Sequence, residues 1–455
     1  MSLKTIILAA GQGTRMRSAL PKVLHCIAGR PLLQHVIESA QNLDSNSIAV
    51  VYGHGGDRVK LSFVDQNLCW FEQAEQLGTG HAVEQALPHV DDNDTVFILY
   101  GDVPLLKSST LEHLLALVDS STMALLTVDL DNPTGYGRII RDEEGCVTAI
   151  VEQKDASDDQ LTIAETNTGV MALKGRDLKR WLAQLENDNA QGEFYLTDVI
   201  ALAVADGYIV ATAQPEDFTE VSGVNNKQQL AVLERVYQKR VTDSLMAQGV
   251  GFLDPSRFDL RGSISSIGQD VIFDVNVVLE GELSLGSDIR IGPNCYLKNV
   301  TINDGVTIEA NSIIEDAHIG RANVIGPFAR IRPGTHLSEN VKVGNFVEIK
   351  KTTVGQGSKI NHLSYVGDSI VGADVNIGAG TITCNYDGAN KFQTTIKDGA
   401  FIGSDTQLVA PVVIGERATI GAGSTITRDA PDNALTLTRG KQQSIAAWKR
   451  PQKES

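Results

Sequence analysis

From Ile267 to Ile426 an aliphatic residue or phenylalanine returns at every sixth position, beginning Ile267, Phe273, Leu279, Leu285, Ile291, Leu297. The phase slips by one residue before Ile302, Ile319, Val354 and Val371, breaks after Ile377, and resumes from Ile396. Small residues often follow at once, as at Gly268, Gly286, Gly292, Gly326, Gly344, Gly403, Gly415 and Gly421. A period of six fits neither the helical repeat nor the alternation of a simple strand. It predicts a parallel β-helix, a coil with three flat sides that each point one aliphatic residue inward. Roughly eight or nine coils of about 18 residues would build a prism about 40 Å long.

The first half is patterned differently. Thr5–Ala10, Ser47–Tyr52, Thr95–Tyr100 and Met123–Val128 are apolar and rich in β-branched residues. Pro31–Leu43, Thr79–Leu87 and Ser109–Asp119 have helical spacing between them. Such alternation predicts an α/β doubly wound parallel sheet, with ligands beyond the carboxyl ends of its strands. Leu230, Leu233, Tyr237, Val241 and Leu245 then mark a helix of about 35 Å, closed by Gly249. It is either a rigid arm between domains or a helix packed wholly on the first. The expected divisions are residues 1–226, a linker helix at 227–249, and 250–455.

At 455 residues the chain is long enough for two or three cores. No apolar stretch reaches the ~18 residues of a membrane span, and the run Ile6–Ala10 is too short for a signal peptide. The net charge of −17 argues against a nucleic-acid or anionic-membrane partner. Anionic metabolites would have to meet locally clustered cations. Cys26, Cys69, Cys146, Cys295 and Cys384 are scattered, odd in number and without zinc spacing. No disulfide framework is expected, and the reducing cytoplasm is the expected compartment.

The first strand runs into Gly11-Gln12-Gly13-Thr14-Arg15-Met16. Met16 stands where a dinucleotide fingerprint needs a small residue, and the Gly-Lys-Ser/Thr of a P-loop is missing. Glycines here could serve the turn alone. With Arg15, Arg17 and Lys22 in the same loop, however, the combination describes a triphosphate cradle. Tyr100-Gly101-Asp102 places a carboxylate after another apolar strand, either as a turn or as one of the few protein ligands that Mg²⁺ takes beside phosphates.

In the hexad half, Arg332 and Lys350 lie 18 residues apart and each directly follows a phased position. On neighbouring rungs their like charges need an anion between them, unless they splay into solvent. Arg330, Lys351 and Lys359 are expected to deepen the field. His362 is a candidate base near pH 7, or a surface histidine. The break after Ile377 places Asn385, Tyr386 and Lys391 in a loop of the kind that solenoids use for binding.

Leu8 to Met16 reads L-x-x-G-x-G-T-x-M; with Pro21-Lys22, Leu77-Gly78-Thr79-Gly80 and Gly101-Asp102 it resembles the sugar-nucleotide pyrophosphorylases. With the hexad half, nearly the whole chain is similar to the bacterial bifunctional uridylyltransferase–acetyltransferases. The resemblance implies a Rossmann-like nucleotidyltransferase domain, a linker helix and a left-handed parallel β-helix. It implies that Leu8, Ala9, Ala10, Gly11, Gln73, Gly78 and Thr79 hold uracil and ribose, with Tyr100 and Gly101 beside them. Gly137, Glu152 and Asn167 would hold the sugar. Asp102 and Asn225 would hold Mg²⁺, and Arg15 and Lys22 would face the triphosphate. Gln12 stands where many relatives have Lys.

In the second half His362 would be the base, oriented by Glu348. Arg332, Lys350, Tyr365, Asn376 and Lys391 would bind glucosamine-1-phosphate, and Ala379, Asn385, Tyr386, Ser404, Ala422 and Arg439 acetyl-CoA. The implied partners are UTP, N-acetylglucosamine-1-phosphate, glucosamine-1-phosphate and acetyl-CoA, with assembly as a homotrimer. The alternatives are a nucleotidyltransferase whose hexad domain only assembles or binds a regulator, and a non-enzymatic subunit. Lys22 and Asp102, both in place, speak against the last.

Overall fold

Leu3–Ala9 is a central strand because nearly every side chain in it is apolar and both faces of its sheet are covered. Ile6 and Leu8 enter one buried cluster and Ile7 the other; in Thr95–Tyr100, Val96 and Ile98 likewise oppose Phe97 and Leu99. The computed structural model describes residues 2–43, 45, 47–53 and 55–451. They divide into two units, Met1–Tyr237 and Gln238–Ser455.

In the first unit Leu3–Ala9 pairs in parallel with Ser47–Tyr52 and Thr95–Tyr100, and Ser47–Tyr52 pairs in parallel with Cys69–Glu72. Four carboxyl ends therefore open at one edge. The helices Leu32–Gln41, Thr79–Gln85 and Ser108–Ala116 fall where the spacing predicts them. The doubly wound sheet is mixed rather than purely parallel. Glu165–Lys174 inserts antiparallel between Thr95–Tyr100 and Thr122–Asp129, and carries the hairpin Arg138–Arg141/Val147–Val151 on its flank. Both β-propensity and alternation permit either direction, so pattern alone did not fix it. Leu233, from the helix Lys227–Ala247, joins Met16, Ile27, Leu105 and Val224 in a smaller core.

In the second unit every phased residue is buried except Ile267, which is half-buried against the core. Phe273, Ile291, Ile308, Ile325, Val343, Ile360, Ile377, Ile402 and Ile420 stack in register, one per coil. One wall is an 11-stranded parallel sheet, and the other two join in a 15-stranded sheet. They join because Phe258–Ile267, Val277–Leu285, Tyr296–Ile302 and Ile313–Ile319 run unbroken through a corner. In the next coil the strand splits into Arg330–Ile331 and Thr335–Leu337 around Pro333, which has no N–H to donate. Leu245 packs in this core, and Gln238 exchanges two hydrogen bonds with Leu260, of 2.9 and 2.8 Å. The helix that carries them is therefore not packed wholly on the first unit.

The corners turn through left-handed backbone, which Asn, Asp and Gly tolerate best. One corner reads Asn276, Asn294, Asn311, Phe328, Phe346, Leu363, Gly380, Asp405, Gly423 on successive coils, all with positive φ. Three large apolar residues in that row are out of character for the conformation.

Ile349→Ala would open a cavity between Ile331 and Val366 and should cost about 2–5 kcal/mol. Lys342→Ala, outside the same prism, should stay within about 0.5 kcal/mol. Urea denaturation of the two variants measures the difference.

Candidate functional sites

The first site is assembled where the strands of the first unit end. After Leu3–Ala9 the loop turns at Gly13, whose φ is 61° and whose missing Cβ would lie 2.8 Å from Lys22 Cβ. Lys22 can therefore lie against the loop. Its ammonium ion-pairs with Asp102 and donates to Asn225 Oδ1 at 3.3 Å; Arg15 donates to the same oxygen at 2.9 Å. One carboxylate, one amide oxygen and two cations thus meet across more than 200 residues of chain. Arg17, counted with them in the sequence, shares no hydrogen bond or ion pair with this cluster among the described residues.

The oxygens of Asp102 and Asn225 suit a hard cation that completes its shell with water and phosphate. Among the described residues no group of three or more His, Cys, Asp or Glu gathers to form a fuller metal cage. Mg²⁺ fits that donor set.

Beside the cluster lies a pocket of about 340 Å³. Leu8, Ala9, Ala10, Gly11, Lys22, Gln73, Gly78, Thr79, Tyr100 and Asp102 line it, together with Gln76, Glu193, Val23 and Ala82, which the sequence did not single out. Gly101 lies within the same Tyr100–Asp102 turn and donates its N–H to Leu8 O at 2.9 Å. Gln73 is buried, and its amide nitrogen is directed to Gly78 O at 2.9 Å and His81 Nδ1 at 3.2 Å. Gly78 has φ 117°, and a Cβ there would meet Phe194 O at 2.5 Å, so no other residue fits. Thr79 Oγ1 accepts from Leu196 N at 3.1 Å, which ties the pocket wall to the segment that follows Glu193.

Glu152, Gly137 and Asn167 sit together around the antiparallel insertion. Asn167 N donates to Gly137 O at 2.9 Å, and a Cβ on Gly137 would lie 3.5 Å from the Glu152 carboxyl. Glu152 accepts from Thr197 Oγ1 at 3.1 Å. Burial first, then the Asp198 and Asp155 carboxylates, raise its pKa above the usual range against the effect of that hydrogen bond. Burial, with Glu152 and Asp102, also pushes the Tyr100 phenol up. Thr197 had no signal in the sequence.

The second site lies on the β-helix. Arg332 and Lys350 are on adjacent rungs of one wall, as their 18-residue spacing predicts. Tyr365 starts the next strand of that wall, and its hydroxyl lies over Gly367, the residue paired with Lys350. Lys391, from the loop closed by a Tyr386–Lys391 bridge, meets Lys350. The Lys391 ammonium lowers the Lys350 pKa; burial and Arg332 act in the same direction, and Asp368 opposes them. An anion between two ammonium groups held together in this way would relieve their repulsion.

Several expectations are corrected. Glu348 does not orient His362: its carboxylate accepts from Arg332 at 2.6 Å. His362 Nδ1 lies 2.6 Å from Asn345 Oδ1 instead. An amide oxygen can only accept, so Nδ1 carries the hydrogen and Nε2 is left as the base. Asn345 and His362 are register partners one coil apart, so the repeat spacing could have identified the pair. Arg330 lies 3.6 Å from Glu315, and Lys351 faces Asp368 at 3.9 Å. Lys359 and Asn376 pair on the 11-stranded wall, away from Arg332 and Lys350. Asn385 is buried, with its amide donating to Asp368 at 2.5 Å, and only Tyr386 of that pair is exposed.

Below His362 one corner descends through successive coils. Gly380 N donates to His362 O, Asp405 N to Ala379 O and Gly423 N to Ser404 O, at 3.4, 2.7 and 2.8 Å. Gly403 leaves room for Ala422 N, which would be 2.5 Å from its Cβ, and the Arg439 side chain lies against Gly421 and Gly423. Ala379, Ser404, Ala422 and Arg439 thus share a column of nearly bare backbone that leads to the histidine.

Comparison with known proteins follows the same division. Residues 5–195 match the MobA-like NTP transferase domain, and residues 393–428 match the bacterial transferase hexapeptide (six repeats). A protein of Marinobacter nauticus named Bifunctional protein GlmU is 57% identical over 451 residues, covering 99% of each chain. One of the same name from Methylococcus capsulatus is 56% identical over 453 residues, covering 100% of this chain and 98% of that one. A crystal structure of UDP-glucose pyrophosphorylase complexed with UDP-glucose aligns with 53% of this chain and all of its own, at TM-score 0.44 and 17% identity, too distant to argue from.

Adding inorganic phosphate should raise the Lys350 pKa, because an anion between the ammonium groups removes the repulsion that lowers it. Lys391→Ala should do the same without a ligand. Side-chain NMR titration of lysine reads both; an unmoved midpoint in Lys391→Ala would mean that the two ammonium groups do not meet.

Proposed function

The chain belongs to the bifunctional GlmU family, and on that premise we propose a division of two transfer reactions between its units. The enzyme acetylates glucosamine-1-phosphate from acetyl-CoA, then transfers uridylyl from UTP to the product, releasing pyrophosphate and forming UDP-N-acetylglucosamine. The observation that carries the division is a pair of cation clusters, Lys22 with Arg15 in one unit and Lys350 with Lys391 in the other.

For uridylyl transfer, a sugar-1-phosphate oxygen attacks the α-phosphorus of UTP and the bond to pyrophosphate breaks. The nucleophile is already an anion, so no base is needed. The barrier is repulsion, since two unit charges ~4 Å apart at an effective dielectric of 20 repel by about 4 kcal/mol. Lys22 and Arg15 offset it at the triphosphate, and Gln73, Gly78 and Thr79 hold the uridine beside them. Glu152, Asn167 and Gly137 hold the sugar. Mg²⁺ held by Asp102 and Asn225 would add positive charge across the phosphates. Lys22, resting between those two oxygens, is within reach of the same phosphates.

For acetyl transfer, Arg332, Lys350, Tyr365 and Lys391 hold the sugar phosphate, and acetyl-CoA lies along the column of Ala379, Ser404, Ala422 and Arg439. His362 Nε2 takes the proton as the amine attacks the thioester carbonyl. The C–S bond then breaks, and the proton goes to the departing thiolate. Asn345 holds the ring in the tautomer that this requires.

Assembly as a homotrimer is supported by Phe328, Phe346 and Leu363, which are 48%, 56% and 62% exposed in one corner column. The two phenyl rings stack with centroids 5.2 Å apart. Large side chains in left-handed backbone cost roughly 1–2 kcal/mol each, a cost that contact with another subunit can offset. Asn376, on a different wall from Lys350, suits a site completed by a second copy. No helix among the described residues is long and apolar enough to cross a membrane. The five free cysteines support a cytoplasmic setting.

Lys22→Ala and Asp102→Ala should each abolish UTP-dependent pyrophosphate release while thiol release from acetyl-CoA continues; His362→Ala should do the reverse. Loss of both activities in any one variant would refute separate sites. Asn345→Leu should lower kcat for acetyl transfer by about 10–100-fold with a smaller change in KM.

Phe328→Asn with Phe346→Asn relieves the corner backbone. It should dissociate the assembly in analytical ultracentrifugation and stop acetyl transfer, while uridylyl transfer persists. An intact trimer in that double variant would assign the interface elsewhere.

A further inference from the structure

Two glutamines join across the mouth of the nucleotide pocket. Gln12 Nε2, in the phosphate loop, donates to Gln76 Oε1 at 2.9 Å. Gln76 borders both the 340 Å³ pocket and a neighbouring groove of about 800 Å³, whereas Gln12 borders only the groove. The bond therefore reaches Gln76 from the side away from the pocket.

This bond decides which end of the Gln76 amide remains free. The oxygen is held, so what is left is a nitrogen that can only donate. It has no acceptor among the described residues. Its position is set by Gly53, where a Cβ would lie 2.8 Å from Gln76 Nε2 and 2.7 Å from Ala10 O. Ala10 lines the pocket and Gly53 the groove, so the free donor stands at the border between the two.

Gln73 is the complement. Its nitrogen is engaged by Gly78 O and His81 Nδ1, which leaves Oε1 as an acceptor in the same pocket. One acceptor and one donor match uracil, which offers an N3–H flanked by carbonyl oxygens. They mismatch cytosine, which offers a bare N3 beside an amino group. Gln12 carries no contact to the pocket itself, and acts only by fixing the orientation of the Gln76 amide.

We propose that Gln12 and Gln76 are a base-selecting pair, in which a donor at position 12 orients the Gln76 amide so that the pocket admits uracil and rejects cytosine. This rests on the assignment of the pocket to the uridine of UTP. Gln76 is then a specificity-determining residue, and Gln12 a positioning residue.

The test compares kcat/KM for UTP and CTP in the full-length enzyme. Gln12→Lys keeps a donor to Gln76 Oε1, and should hold the UTP/CTP ratio within about threefold of the parent. Gln12→Glu offers only acceptors and turns the amide around; the ratio should fall about tenfold or more, mainly through KM for UTP. Both nucleotides carry the same triphosphate, so the added charge cancels in the ratio. A purely structural role for the bond would lower both activities together and leave the ratio unchanged, which overturns the proposal. Equal loss of selectivity in the Lys and Glu variants also overturns it. A parent enzyme inactive with UTP would instead remove the uridine assignment beneath it.

Discussion

One aliphatic side chain per strand cannot form a core unless the coil beneath supplies another. The stack from Phe273 to Ile420 is therefore the constraint on which the second unit depends, with neighbouring rungs about 4.8 Å apart. The same constraint arranges the outside. Residues 17 or 18 apart become vertical neighbours whatever their chemistry, which brings Lys350 under Arg332 and His362 under Asn345. A flat wall of short strands becomes a scaffold on which charge can be held closer than free side chains would allow. The insertion after Ile377 adds Lys391 without disturbing the stack, since Ile377 still pairs with Ile402 across it.

Both sites concentrate positive charge in a chain of net charge −17, by different means. In the first unit the cations converge at strand ends, and Asp102 neutralises Lys22 at rest. In the second, Glu348 is taken by Arg332, and Lys350 faces Lys391 with Asp368 offsetting only part of their repulsion. The first arrangement can accommodate a cation with its phosphates. The second calls for an anion alone. Each matches the reaction assigned to its unit, because one transfers a group from a triphosphate and the other acylates a neutral amine on a sugar phosphate.

The left-handed corner shows where the repeat departs from its own rule. Asn and Gly are the residues that this backbone favours, and Asn276, Asn294 and Asn311 obey. Phe328, Phe346 and Leu363 do not; Phe346 and Leu363 directly follow Asn345 and His362, and Phe328 lies one coil before them. Local strain and exposed apolar surface coincide beside His362, which on the reading proposed above would tie assembly to acetyl transfer.

The hexad phase and the strand–loop motifs were enough to determine both architectures, the cations of the phosphate loop and the stacking of Arg332 on Lys350, while the pocket from Leu8 to Asp102 followed from the family resemblance. They suffice because period and strand order are properties of the backbone, and hydrophobic spacing reports the backbone directly. Tertiary structure alone decided the direction of Glu165–Lys174, the partner of Glu348, the wall that holds Asn376, and the orientation of Gln76 by Gln12. Each of these is a choice among partners of nearly equal local energy. Side-chain torsions and long-range pairing make that choice, and neither leaves a periodic trace along the chain.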